Sequence, residues 1–591
     1  MKRAALLLFI VPLALVARPR AAQQPPLSSP PAATTEDKPD EGFPVTNDLV
    51  KRKCSGCHHA DDKGRLTRIS FRRTTPEGWE QTLKRMVTLN NLKIEPGEAR
   101  EIVRYLADHQ GLAPEEAKPA AFEVERRQID FQFADKNADK DKHLTEETCI
   151  ACHSFGRVMS QRRTKEEWEL LVAMHRGYYW LSDFQAFRRT GPSRREPGAE
   201  GPPPDNRHPM DVAITQLSGA FPLTTPDWAA WSATMRPPQL QGRWALSGYQ
   251  SGKGAIFGQV TVAPQGGADS GEFTTEISYT VASTGEHLKR TGKAIVYTGF
   301  QWRGRNTTTA GEERERELRE VMFVDRDWRH ASGRWFTGAY DEFGIDVQLQ
   351  RVGGDPVLSG VGQTMLRAGG SGQQLSLFGA NFPARAAAAD LNFGPGITVD
   401  RIVSSAPEQL VVAVSVAKDA TAGRRSVFLN GATGNATIAV AGDIDYIKVT
   451  PQAGLARVGG GNFPKQFQQF EAIAYANGPD GKPDTKDDIE LGPVSATWAT
   501  EEYTATFEDD DKDFVGTIDP KSGLFTPNLD GPNPKRKHNS NNYGDVWVVA
   551  SFDAPPASAA TTSARRTIKA RAHLLVTVPL YIKFDEAEVG R

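Results

Sequence analysis

The 591-residue chain has four cysteines, and all four fall in two pentapeptides, Cys54-Ser55-Gly56-Cys57-His58 and Cys149-Ile150-Ala151-Cys152-His153. A Cys-x-x-Cys-His sequence presents two thiols about one helical turn apart, with an imidazole beside the second. That is the pattern of covalent c-type haem attachment, in which the thiols bond to the vinyl groups and His58 or His153 takes the proximal position on the iron. A redox dithiol of thioredoxin type would want a βαβ context, and neither pair has one. A single zinc site would have to gather the pairs from positions 54 and 149 and would leave both histidines without a role. Two covalently bound haems c are therefore expected on this chain.

The flanking sequence predicts where such a chain works. Lys2 and Arg3 precede the apolar run Ala4 to Ala17, with small residues following as far as Ala22. This reads as an export signal over 1–22, and the Pro-, Ala- and acid-rich stretch 23–42 reads as a flexible leader. Export predicts a periplasmic protein. The run is short for a bilayer span, and nothing later approaches transmembrane length. With a formal net charge of −2 and no dense basic block, the composition gives no sign of nucleic-acid binding.

A weak internal repeat follows the two motifs and guides the choice of sixth ligand. Gly78-Trp79, Leu83, Met86 and Val87 in the first half match Glu167-Trp168, Leu171, Val172, Met174 and His175 in the second, both at helical spacing. Aligning Trp79 with Trp168 sets Met86 opposite His175. A thioether sulfur and an imidazole nitrogen both serve as sixth ligands. His58/Met86 is expected at the first iron and His153/His175 at the second. A core role for Met86 is the competing reading there, and Met174, His143 and Met159 compete with His175. Each half has a closing helix, expected at Glu98 to Leu112 and at Met210 to Phe221. Arg188 to Pro209, rich in Arg, Pro and Gly, reads as an insertion loop. The expected all-α dihaem domain covers 43–236, divided into 43–118 and 119–236.

From about Leu240 the texture becomes β. Alternating segments at Gln259 to Val262, Phe273 to Val281, Ala294 to Trp302, Glu320 to Val324, Trp335 to Ala339 and Ile345 to Leu349 predict an antiparallel barrel over 237–353. After a Gly-rich joint from Gly353 to Gly372, short strands predict an immunoglobulin-like sandwich over 354–441 and another over 442–591. Within the last unit the acidic loop 477–488 lacks the twelfth-position Glu of an EF-hand, so a solvated hairpin is expected there rather than a calcium site. No Ser/His/Asp relay, phosphate loop or spaced carboxylate pair stands out, so no catalytic residue is assigned.

Two CxxCH motifs in an N-terminal dihaem domain, then a β-barrel and two immunoglobulin-like domains, resemble the α subunit of quinohaemoprotein amine dehydrogenase. The run Gly531 to Trp547 also looks like the last domain of those subunits. The resemblance implies a periplasmic αβγ heterotrimer that oxidatively deaminates primary amines. The cysteine tryptophylquinone would sit in the small γ subunit, and the β subunit would be a propeller. This chain would carry electrons from that quinone to a soluble cytochrome c or cupredoxin. It implies Cys54, Cys57 and His58 for one haem and Cys149, Cys152 and His153 for the other. Two other functions fit a dihaem chain: a cytochrome docking to another dehydrogenase, and a dihaem peroxidase.

Overall fold

The computed structural model describes residues 41–120, 138–150, 153–179, 182, 207–267, 270–434, 436–503, 510–555 and 566–579. The expected export signal, most of the leader and of the 188–209 loop, Cys152, and most of a strand anticipated at Tyr503 to Phe507 lie outside them. All contacts below belong to the unit Gly42–Arg591.

Asn47 starts helix α1 (Asp48–Cys54) by accepting from the Val50 amide at 2.9 Å. Strand β1 (Arg72–Thr74) runs into helix α2 (Pro76–Asn90), which Thr75 caps and Pro76 pre-shapes at the first position. Asn91, at φ 57°, ends that helix in the left-handed region. Helix α3 (Pro96–His109) follows. Its Ile102, Val103 and Leu106 meet Leu49, Val50, Leu66, Trp79 and Leu83 in the first helical core. The short helix α4 (Pro114–Ala117) leads away from it.

The second half repeats the plan with α5 (Lys140–Ile150), α6 (Gly156–Met159), β2 (Gln161–Arg163), α7 (Lys165–Tyr178) and α8 (Pro209–Ala220). Thr164 caps α7 as Thr75 caps α2. Trp79 donates its indole N–H to the Gln110 carbonyl and Trp168 donates to that of Phe221, each at 3.2 Å. Each indole thus ties its helix to the end of the closing helix. Strands β1 and β2 pair antiparallel, Arg72 opposite Arg163 and Thr74 opposite Gln161, and this ribbon joins the halves. Beside it Glu116 receives Arg73 Nη1 and Nη2 at 2.7 and 2.9 Å and Arg162 Nε at 3.2 Å. Arg73 is wholly buried.

Helix α9 (Pro226–Thr234) carries Trp228 and Trp231 into a cluster with Leu112, Phe300 and Phe323, which seats the helical region on the next domain. That domain is a closed eight-stranded barrel of β3 (Gly242–Gln250), β4 (Gly254–Gln265), β5 (Glu272–Val281), β6 (His287–Tyr297), β7 (Gln301–Thr307), β8 (Glu317–Val324), β9 (His330–Thr337) and β10 (Phe343–Arg351). Strand β10 pairs with β3, so no edge is left open. Side chains including Trp244, Ile256, Ile277, Trp302 and Trp335 fill the interior.

One expected strand, Ala294 to Trp302, is in fact the end of β6, a turn and the start of β7. Thr298 (φ 55°) and Gly299 (φ 74°) reverse the chain there. The apolar run continues across the turn because Phe300 is buried against the helical region rather than inside a strand. Strand β3 was not among the segments anticipated.

Residues 357–441 form two four-stranded sheets around one core that includes Leu375, Leu377, Phe393, Val412, Val414 and Ile438. Two of their strands, Val357–Val361 and Met365–Arg367, lie inside what reads in sequence as a glycine joint. The glycines there mask a short alternating pattern. The last unit, from Tyr446, also layers sheets over a shared core, with Phe470, Trp498, Val546, Val548 and Leu574 at its centre. Among the described residues no helix is long and apolar enough to cross a membrane.

Candidate functional site

The first motif closes helix α1. The amides of Cys57 and His58 both bond back to the Cys54 carbonyl, at 3.2 and 2.9 Å, so the two cysteines stand one turn apart. Cys54 packs partly against the first helical core, while Cys57 is exposed. Burial, reinforced by the neighbouring Cys57, pushes the Cys54 thiol up to about 11. His58 Nδ1 donates to the Thr67 carbonyl at 2.9 Å. A carbonyl only accepts, so the proton sits on Nδ1 and the lone pair on Nε2. Burial, with smaller effects from Arg68 and His59, lowers the His58 pKa despite the Thr67 bond, and keeps the ring in its neutral, metal-binding form.

The second motif opens onto a cavity lined by Cys149, His153 and His175. Trp168, Leu171, Val172 and Leu217 form its apolar wall. His153 Nδ1 donates to the Ser154 carbonyl and His175 Nδ1 to the Leu171 carbonyl, both at 2.8 Å, so each ring carries its lone pair on Nε2. The two ring centres are 6.3 Å apart, inclined at 46°. Two metal–nitrogen bonds of about 2 Å plus a ring radius at either end span about that distance. The pair thus fits one iron held between two imidazoles.

The other residues considered for that position point elsewhere. Met174, next to His175 on α7, has its sulfur 3.2 Å from Arg68 Nη2, while Arg68 Nε pairs with Glu167 at 3.0 Å. His143 pairs with Glu147 at 3.1 Å, and Met159 packs on the second helical core. Met86 is half-buried on α2 with Asn90 Nδ2 at 3.7 Å from its sulfur.

Sequence reading missed that the first half helps to build the second cavity. Gly78, Gln81, Thr82 and Arg85 of α2 line it, and so do Arg72 of β1 and Arg157 and Arg163 of the second half. The Arg-Arg pairs ahead of each capped Trp helix were the available signal.

Four family profiles match successive stretches of the chain. They are the haem-binding region of the quinohaemoprotein amine dehydrogenase α subunit at 45–192, and its domains II at 237–352, III at 356–441 and IV at 447–589. The chain belongs to the quinohaemoprotein amine dehydrogenase α-subunit family. It is thus a haem-binding component of a multi-subunit amine dehydrogenase family. Both pentapeptides, Met86 and His175 fall within the haem-binding match.

The chain matches no curated protein. Among solved structures it resembles a redesigned β-barrel at 16% identity, over 19% of this chain and 92% of that one, with a TM-score of 0.17. It also resembles a tandem of titin domains at 8% identity, over 54% and 99%, with a TM-score of 0.10. The eight N-terminal Ig domains of Down Syndrome Cell Adhesion Molecule match at 12% identity, over 57% and 50%, with a TM-score of 0.14. Scores this low carry no weight for the fold.

In the acidic loop 477–488, Asp488 accepts from the Thr485 and Gly478 amides at 2.8 and 3.1 Å, Asp487 from the Thr485 hydroxyl at 2.8 Å, and exposed Asp484 pairs with Lys448 at 2.5 Å.

Proposed function

We propose that this chain is the dihaem c electron-transfer subunit of a periplasmic amine dehydrogenase, with the quinone that oxidises the amine on a partner subunit. The reading is carried by the placement of His153 and His175 across one cavity, 6.3 Å centre to centre, with Cys149 in its wall. Haem bound there supplies a one-electron carrier. The protein's part is to orient two imidazoles by their Nδ1 atoms, through the carbonyls of Ser154 and Leu171. Trp168, Val172 and Leu217 limit water at the site, and a dry, fixed environment tunes potential. Cys54, Cys57 and His58 do the same work at the first haem, with Met86 as sixth ligand by its register with His175.

Two imidazoles facing one iron leave no open position for peroxide, which weighs against a peroxidase. All four cysteines belong to haem motifs, so none remains to build a cysteine-derived quinone on this chain. Electrons would leave to a soluble cytochrome c or cupredoxin, and the propeller and small quinone-bearing subunits would complete a heterotrimer. The two C-terminal layered units are read as immunoglobulin-like sandwiches serving assembly.

The test is the native assembly purified from the periplasm. Haem stain on this chain, quinone stain on a separate small subunit and haem reduction on adding a primary amine are expected. A chain that purifies alone, carries haem and ignores amines would overturn the dehydrogenase role. Cys54→Ser and Cys149→Ser should each remove one of the two haems.

A further inference from the structure

Four arginines, Arg72, Arg85, Arg157 and Arg163, line the cavity that holds Cys149, His153 and His175; behind this lining one carboxylate, Glu167, pairs with Arg163 Nη1 at 3.5 Å. Three are nearly buried: Arg72 at 8%, Arg85 at 9% and Arg163 at 4% exposure. Neighbours hold them in place. Thr82 Oγ1 accepts from Arg72 Nη1 at 2.6 Å, and Gln81 Oε1 accepts from Arg157 Nη2 at 2.8 Å. Gln161 Oε1 accepts from Arg163 Nη2 at 2.7 Å. Arg72 and Arg163 also lie over the indoles of Trp79 and Trp168. Such a wall complements a guest with carboxylates, because planar guanidiniums match carboxylate geometry in pairs.

We propose that this arginine wall takes the two propionate carboxylates of the haem attached at Cys149, with Arg85 supplied by the first half of the domain. The proposal rests on the haem reading above and deepens it. Positive charge beside the cofactor favours its reduced form, so the wall raises the reduction potential of the second haem above what its two imidazoles alone would set. Because α2 carries Arg85, that potential depends on both halves being docked.

The experiment is spectroelectrochemical titration of the holo-chain, comparing wild type with Arg85→Gln, Arg157→Gln and the charge-preserving Arg85→Lys and Arg157→Lys. Haem staining of each variant is the check on attachment. The glutamine variants should retain both haems and shift one midpoint, that of the bis-imidazole haem, downward. The lysine variants should recover most of the shift, which a merely structural role for the side chains would not produce. Two stained haems with both midpoints unmoved in the glutamine variants would overturn the arginine assignment alone. A shift confined to the other haem would overturn it too. A wild-type chain without covalent haem would overturn the functional reading and this proposal with it.

Discussion

In the first helical half the haem motif sits at a rim. Cys57 is exposed and Cys54 leans on a core already filled by Leu49, Val50, Trp79, Leu83, Ile102 and Leu106. In the second half the corresponding space is a cavity, the core beside it is smaller, and two histidines face each other across it. The scaffolds are the same. A capping Thr precedes each Trp helix, an indole N–H closes each onto its last helix, and a three-residue strand enters each. What differs is who supplies the walls: the second site borrows a face of α2, and the first borrows nothing comparable that the structure describes. A repeated motif therefore yields two unlike sites once one copy becomes part of the other's surroundings.

The comparison can be broken hardest at the sixth ligands. His175→Ala should abolish the bis-imidazole low-spin signal of one haem completely, while Met174→Leu leaves it intact. Met86→Ala should alter only the other haem. Electron paramagnetic resonance and near-infrared magnetic circular dichroism distinguish these outcomes.

The next largest effect is expected where the halves meet. Glu116 accepts from buried Arg73 and from Arg162, and Glu116→Gln should cost about 3–5 kcal/mol in chemical denaturation, because it leaves buried cations short of their partner. Burial alone would raise the Glu116 carboxyl, but hydrogen bonds and charge from Arg73, with Arg162's charge and the Ala113 amide, hold it at about 2, below its ordinary 4.5. A depressed folded-state pKa stabilises fully above the unfolded value and less as pH falls through the folded one. The gap between wild type and Glu116→Gln should therefore narrow as pH drops from 4.5 towards 2.

Smaller effects sharpen the equivalence of the two scaffolds. Trp79→Phe and Trp168→Phe each remove one of the two hydrogen bonds that a carbonyl accepts, since the Thr74 and Arg163 amides stay on Gln110 and Phe221, and should cost about 1 kcal/mol apiece. Thr75→Ala and Thr164→Ala remove matched helix caps, at typically about 1 kcal/mol each and less where the helix end is well packed. Denaturation that shows clearly unequal losses within either pair would mean the halves only look alike.

Much of this was legible in the residues, for identifiable reasons. The CxxCH spacing is a local pattern, so it points to haem without any fold. Alternation over Phe273 to Val281 reports a strand with one face buried, and it falls within β5 (Glu272–Val281). The register of Trp79 with Trp168 sets Met86 opposite His175, because helical period alone sets which residue lies seven positions on. Where the local signal was diluted, reading failed: glycines hid the strands at Val357 and Met365, and Phe300 disguised a turn as strand.

By itself, then, the sequence determined the haem-binding character, the helical repeat and the order of helical and β regions. These depend on spacing and periodicity within short windows. Only the tertiary structure decided that Met174 faces Arg68 while His175 faces His153, and that arginines far apart in the chain meet around one cavity. Neighbouring residues on a helix differ by about 100° in direction, and which direction meets a partner depends on packing that no local window contains.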